Sequence, residues 1–216
     1  ILANVYLHYV LDLWFEKCIK KQLYGEAYLV RFADDFLIMF QYERDAQRVY
    51  EAVIKRMELF GLELSKEKTR ILPFGRYSVT RETFDFLGFT HFNSKTRKGY
   101  YTVGHKISRK KKKQFKSNLK KWVKENRNTQ FDEFMKTLNK KLTGSVNYYS
   151  LSGMIKEVRN LWIHSLYVTF KWLNRRSQRK SFKLEKFYEI WNDRIIRPYI
   201  HVDIWSGDKV IYNKNV

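Results

Sequence analysis

The 216-residue sequence holds one cysteine, Cys18. A lone thiol excludes an internal disulfide framework and any zinc site built from several cysteines. Within a helical stretch it reads as a small packed residue. Histidine is nearly as sparse: the five, at positions 8, 91, 105, 164 and 201, follow no ligand spacing and read as structural. Long apolar runs are missing too. Stretches such as Phe36 to Phe40 are far too short to cross a bilayer, and no signal-peptide pattern opens the chain. A soluble, intracellular protein with no membrane partner is expected.

What the second half lacks is acid. Residues 1–93 carry 13 Lys/Arg and 13 Asp/Glu, whereas residues 94–216 carry 30 and 9, the source of the whole net charge of +21. A merely soluble surface mixes both signs. A positive field confined to one half suits a polyanion, because phosphate neutralisation and counterion release supply much of nucleic-acid affinity. Against these absences, hydrophobic residues make up 44% and aromatics 17%, with six Trp. That is enough for one sizeable core or two small domains, and too much for a disordered chain.

Periodicity divides the chain the same way. Leu2, Val5, Tyr6, Tyr9, Val10, Leu13 and Trp14 recur at three and four, which predicts a helix over residues 1–23 closed by Gly25. The first residue is Ile and no cap precedes it, so the chain is expected to start inside that helix. Strands are predicted at Ala27 to Phe32 and Phe36 to Phe40, with a turn between them. Helical spacing returns from Arg44 to Phe60 with Gly61 as its cap, followed by two short extended pieces, Leu62 to Leu64 and Thr69 to Leu72. Thr83 to Phe92 reads as one strand, with Gly88 marking a bulge or a close approach. After Tyr101 strand signals fade. Four helices are predicted there: 108–126, Phe131 to Leu142 with a continuation past Gly144 to Tyr149, Met154 to Arg175, and Leu184 to Ile195. The neutral half is thus α+β and the basic half helical.

In the neutral half, the segment YLVRFADDFLIMF, Tyr28 to Phe40, sets Asp34 and Asp35 side by side between apolar runs. As a solvent-exposed hairpin tip such a pair is commonplace. At the edge of a hairpin covered on one side by helices, however, two like charges repel and resist desolvation, and a divalent cation removes that cost. Carboxylate oxygens suit Mg2+, which keeps waters and shares its other positions with substrate phosphates. Two such ions about 3.5–4 Å apart stabilise the attacking and leaving oxygens of an in-line phosphoryl displacement. The carboxylates therefore read as metal ligands for nucleotidyl transfer.

YLVRFADDFLIMF resembles the palm motif of reverse transcriptases, usually Tyr-Ala-Asp-Asp, with Phe32 in the Tyr position. ILANVYLHYVLD looks like the helix after the Pro-Gln-Gly segment in the reverse transcriptases of bacterial group II introns. GLELSKEKTRIL and FDFLGF are similar to two later palm segments, LTGSVNYYS resembles the maturase-specific thumb motif, and WLNRRSQRKSF is similar to a stretch near the end of these proteins. The resemblance runs in order from Ile1 to about Phe182. It implies an α+β fold: a partial palm, an antiparallel sheet with packed helices, over residues 1–101, a helical maturase thumb over 102–182 and a helical tail over 183–216. It also implies an RNA-directed DNA polymerase of the bacterial cytoplasm that copies intron RNA at a DNA target and aids splicing. Its cofactor would be two Mg2+ ions, and its partners group II intron RNA, a DNA primer and deoxynucleotides.

Residue by residue, the resemblance implies that Asp34 binds metal, that Asp35 binds or orients it, and that Phe32 and Ala33 lie against the primer end and incoming nucleotide. Lys68 falls in a segment that keeps a lysine near the triphosphate, and reads equally as an exposed strand lysine. Leu87 and Gly88 fall in the primer grip, where Gly88 lets nucleic-acid backbone approach; Leu87 reads equally as core. In the thumb, residues 106–127 hold eleven Lys/Arg against one acid, Glu125. Arg109, Lys110, Lys111, Lys112, Lys113, Lys116 and Lys120 are expected to track RNA phosphates. Asn147, Tyr148 and Tyr149 are candidates for RNA contact, Tyr149 reading also as core. Arg175, Arg176, Arg179 and Lys180 form a second basic cluster for RNA.

The family's further metal-binding Asp, its fingers and its Pro-Gln-Gly turn would precede Ile1, and its HNH nuclease extension has no counterpart in a tail without paired Cys and His. The chain alone is therefore expected to have little or no polymerase activity. Two alternatives stand beside this reading. One is a maturase remnant that binds RNA without chemistry; the other is a different lineage such as a retron, against which LTGSVNYYS argues.

Overall fold

The computed structural model describes residues 1–65, 67–176, 181–200 and 202. They form two units, residues 1–87 with 92–103, and residues 88–91 with the described residues from 104 onward.

The first unit opens with helix α1 (Leu2–Leu7) and stays helical through π-helical turns at His8–Asp12 and Phe15–Ile19 and a 3-10 turn at Lys20–Gln22. The predicted helix is present, but its middle is wider than a regular α-helix. The Val10 carbonyl accepts a hydrogen bond from Arg56 Nε at 3.1 Å, so the widened turn has a partner outside the helix. Arg56 is itself held over the rings of Trp14 and Phe60.

Next come strands β1 (Ala27–Phe32) and β2 (Asp35–Phe40), antiparallel in register from Ala27 opposite Phe40 to Phe32 opposite Asp35. Strand alternation turns Ala27, Leu29, Phe36, Ile38 and Phe40 onto a core formed with Val10, Leu11 and Phe15 and with Val49, Val53 and Met57 of helix α2 (Glu43–Leu59). The entry to β1 is tied down from α2: the buried Asp45 accepts the backbone N–H groups of Tyr24 and Gly25 at 3.0 and 3.1 Å. Gly25 is required by contact, since a Cβ there would sit 2.6 Å from the Tyr42 ring. Helix α2 ends as the sequence predicts. Gly61 takes φ +67, its N–H bonds to Glu58 O and that of Leu62 to Met57 O, the paired bonds of a Schellman motif.

The sequence reading needs correction over residues 62–107. Among the described residues, Leu62 to Leu64 and Thr69 to Leu72 join no ladder. The single strand expected at Thr83 to Phe92 is two, β3 (Thr83–Phe86) and β4 (Phe89–Lys95), and a further strand, β5 (Tyr101–Ile107), follows where strand signals were expected to fade. The sheet order is β3-β4-β5. The break at Leu87 and Gly88 has a backbone cause: both take positive φ, +49 and +82, the signature of a two-residue hairpin turn whose twist matches its strands. Gly88 marks a turn rather than a bulge.

In the second unit, helices α3 (Arg109–Asn126), α4 (Phe131–Tyr149), α5 (Ile155–Leu173) and α6 (Leu184–Arg194) follow the predicted periodicities closely. Ser108 caps α3, its hydroxyl accepting from Lys111 N at 3.4 Å. Leu119, Val123, Phe134, Leu138, Trp162, Leu166, Phe187 and Trp191 meet in one core. Helix α6 shares it through Phe187 and Trp191. Each side chain buried this fully contributes roughly 1.5–3 kcal/mol. Among the described residues, no helix is long and apolar enough to cross a membrane.

Candidate functional site

The β1–β2 hairpin closes through a two-residue turn, Ala33 and Asp34, with Ala33 at φ +54. An L-residue held there is strained, and a specific contact holds it. Arg31 sits at a core-facing position of β1, donating from Nε to Asp12 Oδ1 and from Nη2 to Asp12 Oδ2, both at 2.7 Å. Its Nη1 donates to the Ala33 carbonyl at 2.9 Å and to Asn4 Oδ1 at 3.2 Å. A bidentate, partly buried pair of this kind is among the stronger charge-assisted contacts. It holds Asp12 below the usual carboxylate range, chiefly through the Arg31 hydrogen bonds, with His8 adding to the effect against desolvation. One guanidinium thus ties the N-terminal helix to the turn that presents Asp34 and Asp35. Sequence reasoning missed Arg31; the signal was an arginine at the core parity of an otherwise apolar strand.

Asp34 and Asp35 are exposed, and neither carboxylate makes a hydrogen bond or ion pair among the described residues. Register places Asp35 on the same face as Phe32, Val30, Tyr28, Leu37 and Met39, the face turned away from the core. Phe32 is 64% exposed there, and Tyr28, Val30 and Met39 are open beside it. The unit therefore presents two unpaired carboxylates at the end of a bare apolar face. Hard oxygen donors with open surroundings fit a Mg2+ ion that completes its shell with water and phosphate. Among the described residues no group of three or more acidic, His or Cys side chains could hold a metal, so Asp34 and Asp35 are a partial donor set. Lys68 is exposed in the turn after Ser65, to whose carbonyl its N–H bonds at 3.1 Å.

In the second unit Gly88 lies under Tyr149 and Lys111. A Cβ added to it would meet Lys111 Cγ at 3.5 Å and the Tyr149 hydroxyl at 3.6 Å. Phe89 stacks on Tyr148 and meets Tyr149 edge-on. Tyr149 is the partly buried member, its hydroxyl pKa raised by burial and by Tyr148. Tyr148 is the exposed one, and the exposed Asn147 accepts a hydrogen bond from Tyr199 at 3.1 Å. Leu87 is half-buried in the hairpin turn.

On α3, Arg109, Lys110, Lys111, Lys113, Lys116 and Lys120 are exposed. Lys112 differs. Its Nζ lies 2.5 Å from Glu157 Oε2 on α5, off the line of a hydrogen bond but within an ion pair, and both side chains are about one-third exposed. The run of five cations therefore presents four outward, and Lys112 helps fasten α3 to α5. Arg175 is exposed, whereas Arg176 is half-buried, its pKa lowered by desolvation. Arg179 and Lys180 lie outside the described residues.

The profile of the family described as reverse transcriptase (RNA-dependent DNA polymerase) matches residues 1–91. That of the group II intron maturase-specific domain matches residues 112–189. The chain belongs to the group II intron reverse transcriptase and maturase family. No curated protein matches the chain. In this family's terms, the β1–β2 hairpin lies within the reverse-transcriptase match, and helices α4 and α5 and most of α3 within the maturase-specific one. Arg109, Lys110 and Lys111 fall between the two.

Proposed function

We propose that this chain supplies the Asp-Asp hairpin and the RNA-binding thumb of an RNA-directed DNA polymerase and splicing maturase. The observation that carries the reading is the pair of unpaired carboxylates, Asp34 and Asp35, exposed beside Phe32 on the bare face of a hairpin within the reverse-transcriptase match. Asp34 and Asp35 would hold Mg2+, which when bound supplies positive charge for the transferring phosphoryl group. The chain's own residues do the positioning. Arg31 and Asp12 fix the turn, and Phe32 and Ala33 offer a surface for the primer end and incoming nucleotide. Lys68 approaches the triphosphate and the Leu87–Gly88 turn grips the primer. The exposed cations of α3, with Asn147, Tyr148 and Arg175, bind group II intron RNA.

The test is Asp34→Asn and Asp35→Asn in the polymerase as the host cell makes it, read as DNA synthesised on an RNA template. A fall of at least about 10³-fold is expected, the scale on which lost transition-state charge stabilisation acts. Unchanged synthesis would refute the assignment. With two carboxylates and no third donor among the described residues, the 216 residues alone should bind RNA yet extend no primer, and robust Mg2+-dependent synthesis by them would overturn that.

The partial donor set also favours a second reading, a maturase that binds intron RNA without polymerising. It predicts that the two Asn substitutions leave intron splicing at the wild-type rate.

A further inference from the structure

Trp172, on the last turn of α5, packs half-buried against the core of the second unit. Three cations surround its indole: Lys124 Nζ at 5.8 Å from the ring centroid, Arg127 Cζ at 5.5 Å and Arg175 Cζ at 5.2 Å. Lys124 and Arg127 are three residues apart at the end of α3, hence on one face, and Arg175 follows α5. Among the described residues none of the three makes an ion pair with a carboxylate. Lys112 on α3 and Arg194 on α6 do, with Glu157 and Asp132 respectively.

Charge arithmetic decides what such a cluster is for. The plainest account is that cations favour helix C-termini. Each helix end contributes about −0.5 of a charge, so two of them leave about two positive charges uncompensated. The indole face attracts a cation by about 0.5–1 kcal/mol at an exposed site, enough to gather the groups but not to neutralise them. Three like charges converging on one ring are stabilised by an anion.

We propose that Lys124, Arg127 and Arg175, assembled by Trp172, form a phosphate-binding site for an RNA backbone. This rests on the RNA-binding reading of the thumb and gives it a location at the far end of α3 from the Arg109–Lys113 run. Lys124 and Arg127 are absent from the residues singled out by sequence. Trp172 is a positioning residue: its ring holds the guanidinium groups, and it also reports on them.

The experiment uses the 216-residue chain and two probes, a 20-nucleotide single-stranded RNA and inorganic pyrophosphate. In wild type, RNA should change tryptophan emission, and Trp172→Phe, which keeps a ring, should retain affinity but lose most of that change. The triple variant Lys124→Gln, Arg127→Gln, Arg175→Gln should reduce the log–log salt slope of RNA binding by at least about 0.7, the value of one single-strand phosphate contact. Circular dichroism identical to wild type would confirm that the variant is folded. An unchanged slope in a folded triple variant, with wild-type binding intact, overturns the inference and leaves the wider thumb reading standing. If wild type binds no RNA, that wider reading and the RNA assignment fail together. The pyrophosphate arm then decides alone. An emission response lost in the triple variant upholds an anion site, and a response retained or absent in wild type overturns it.

Discussion

The two units use charge in opposite ways. In the first, 16 Lys/Arg stand against 13 Asp/Glu, and the described ion pairs are internal: Arg31 with Asp12, Lys20 with Glu16, and His8 beside Asp12. The carboxylates of Asp34 and Asp35 stand apart from them, unpaired at a hairpin tip. In the second, the described pairs of Lys112 with Glu157 and Arg194 with Asp132 are set against a large surplus of cations. Charge in the first unit positions a turn. In the second most of it is left outward. A surface pair on its own is worth little, so the informative charges are those the fold leaves unpaired.

The sharpest way to break this comparison is through the second unit's core. Trp191 is fully buried, so Trp191→Ala should cost about 3–5 kcal/mol in chemical denaturation and abolish RNA binding by unfolding the frame that carries the cations. A variant that binds RNA normally would show that the cations act without the fold. Next, removing the outward charges Arg109, Lys110, Lys111 and Lys113 as Gln should lower RNA affinity by about 10- to 100-fold at low salt and flatten its salt slope by about 0.7–0.9 per lost phosphate contact. Lys112→Gln should leave that slope unchanged and instead lower thermal stability slightly. Equal effects from the two would erase the distinction between outward and internal cations.

In the first unit, Arg31→Ala leaves the part-buried Asp12 with His8 as its remaining partner and releases the Ala33 carbonyl. A cost of about 1–3 kcal/mol is expected, with Arg31→Lys intermediate because it keeps charge but loses the fork. Both should be measured by urea denaturation.

The smallest effects separate the units by pH. The folded Asp12 pKa is depressed, so its contribution is present above the unfolded value of about 3.9 and lost as pH falls through the folded value. That loss should shrink in Arg31→Ala, which keeps His8 as the remaining cause of the depression. His164 in the second unit is also depressed, by burial and then by Lys116. Its contribution is present above the unfolded value of about 6.5 and lost as pH falls through its folded one. Stability measured from pH 8 to pH 3 should therefore show the His164-dependent loss at higher pH than the Asp12-dependent one, and His164→Gln should remove only the former.

Much of this was legible in the residues. Helices α2 to α6 follow from apolar spacing, and the Asp-Asp hairpin from two apolar runs around a polar turn. What escaped sequence reasoning is non-local or hidden in backbone angles. Strand β5 carries Gly104, His105 and Lys106, which dilute its strand signal until β4 pairs with it. Leu87 takes a positive φ that only Gly88 advertises, so one apparent strand is a hairpin. Lys112 looks like its neighbours until Glu157, far along the chain, is found beside it. Arg31 and the cations around Trp172 likewise depend on partners that folding brings together.

The most direct measurement of the central claim is Mn2+ binding to the 216-residue chain, followed by electron paramagnetic resonance of the free ion. Wild type should take up Mn2+ weakly, and Asp34→Asn with Asp35→Asn should abolish that uptake while circular dichroism stays the same. Equal uptake by a folded double variant would contradict the assignment of these carboxylates as the metal-holding pair.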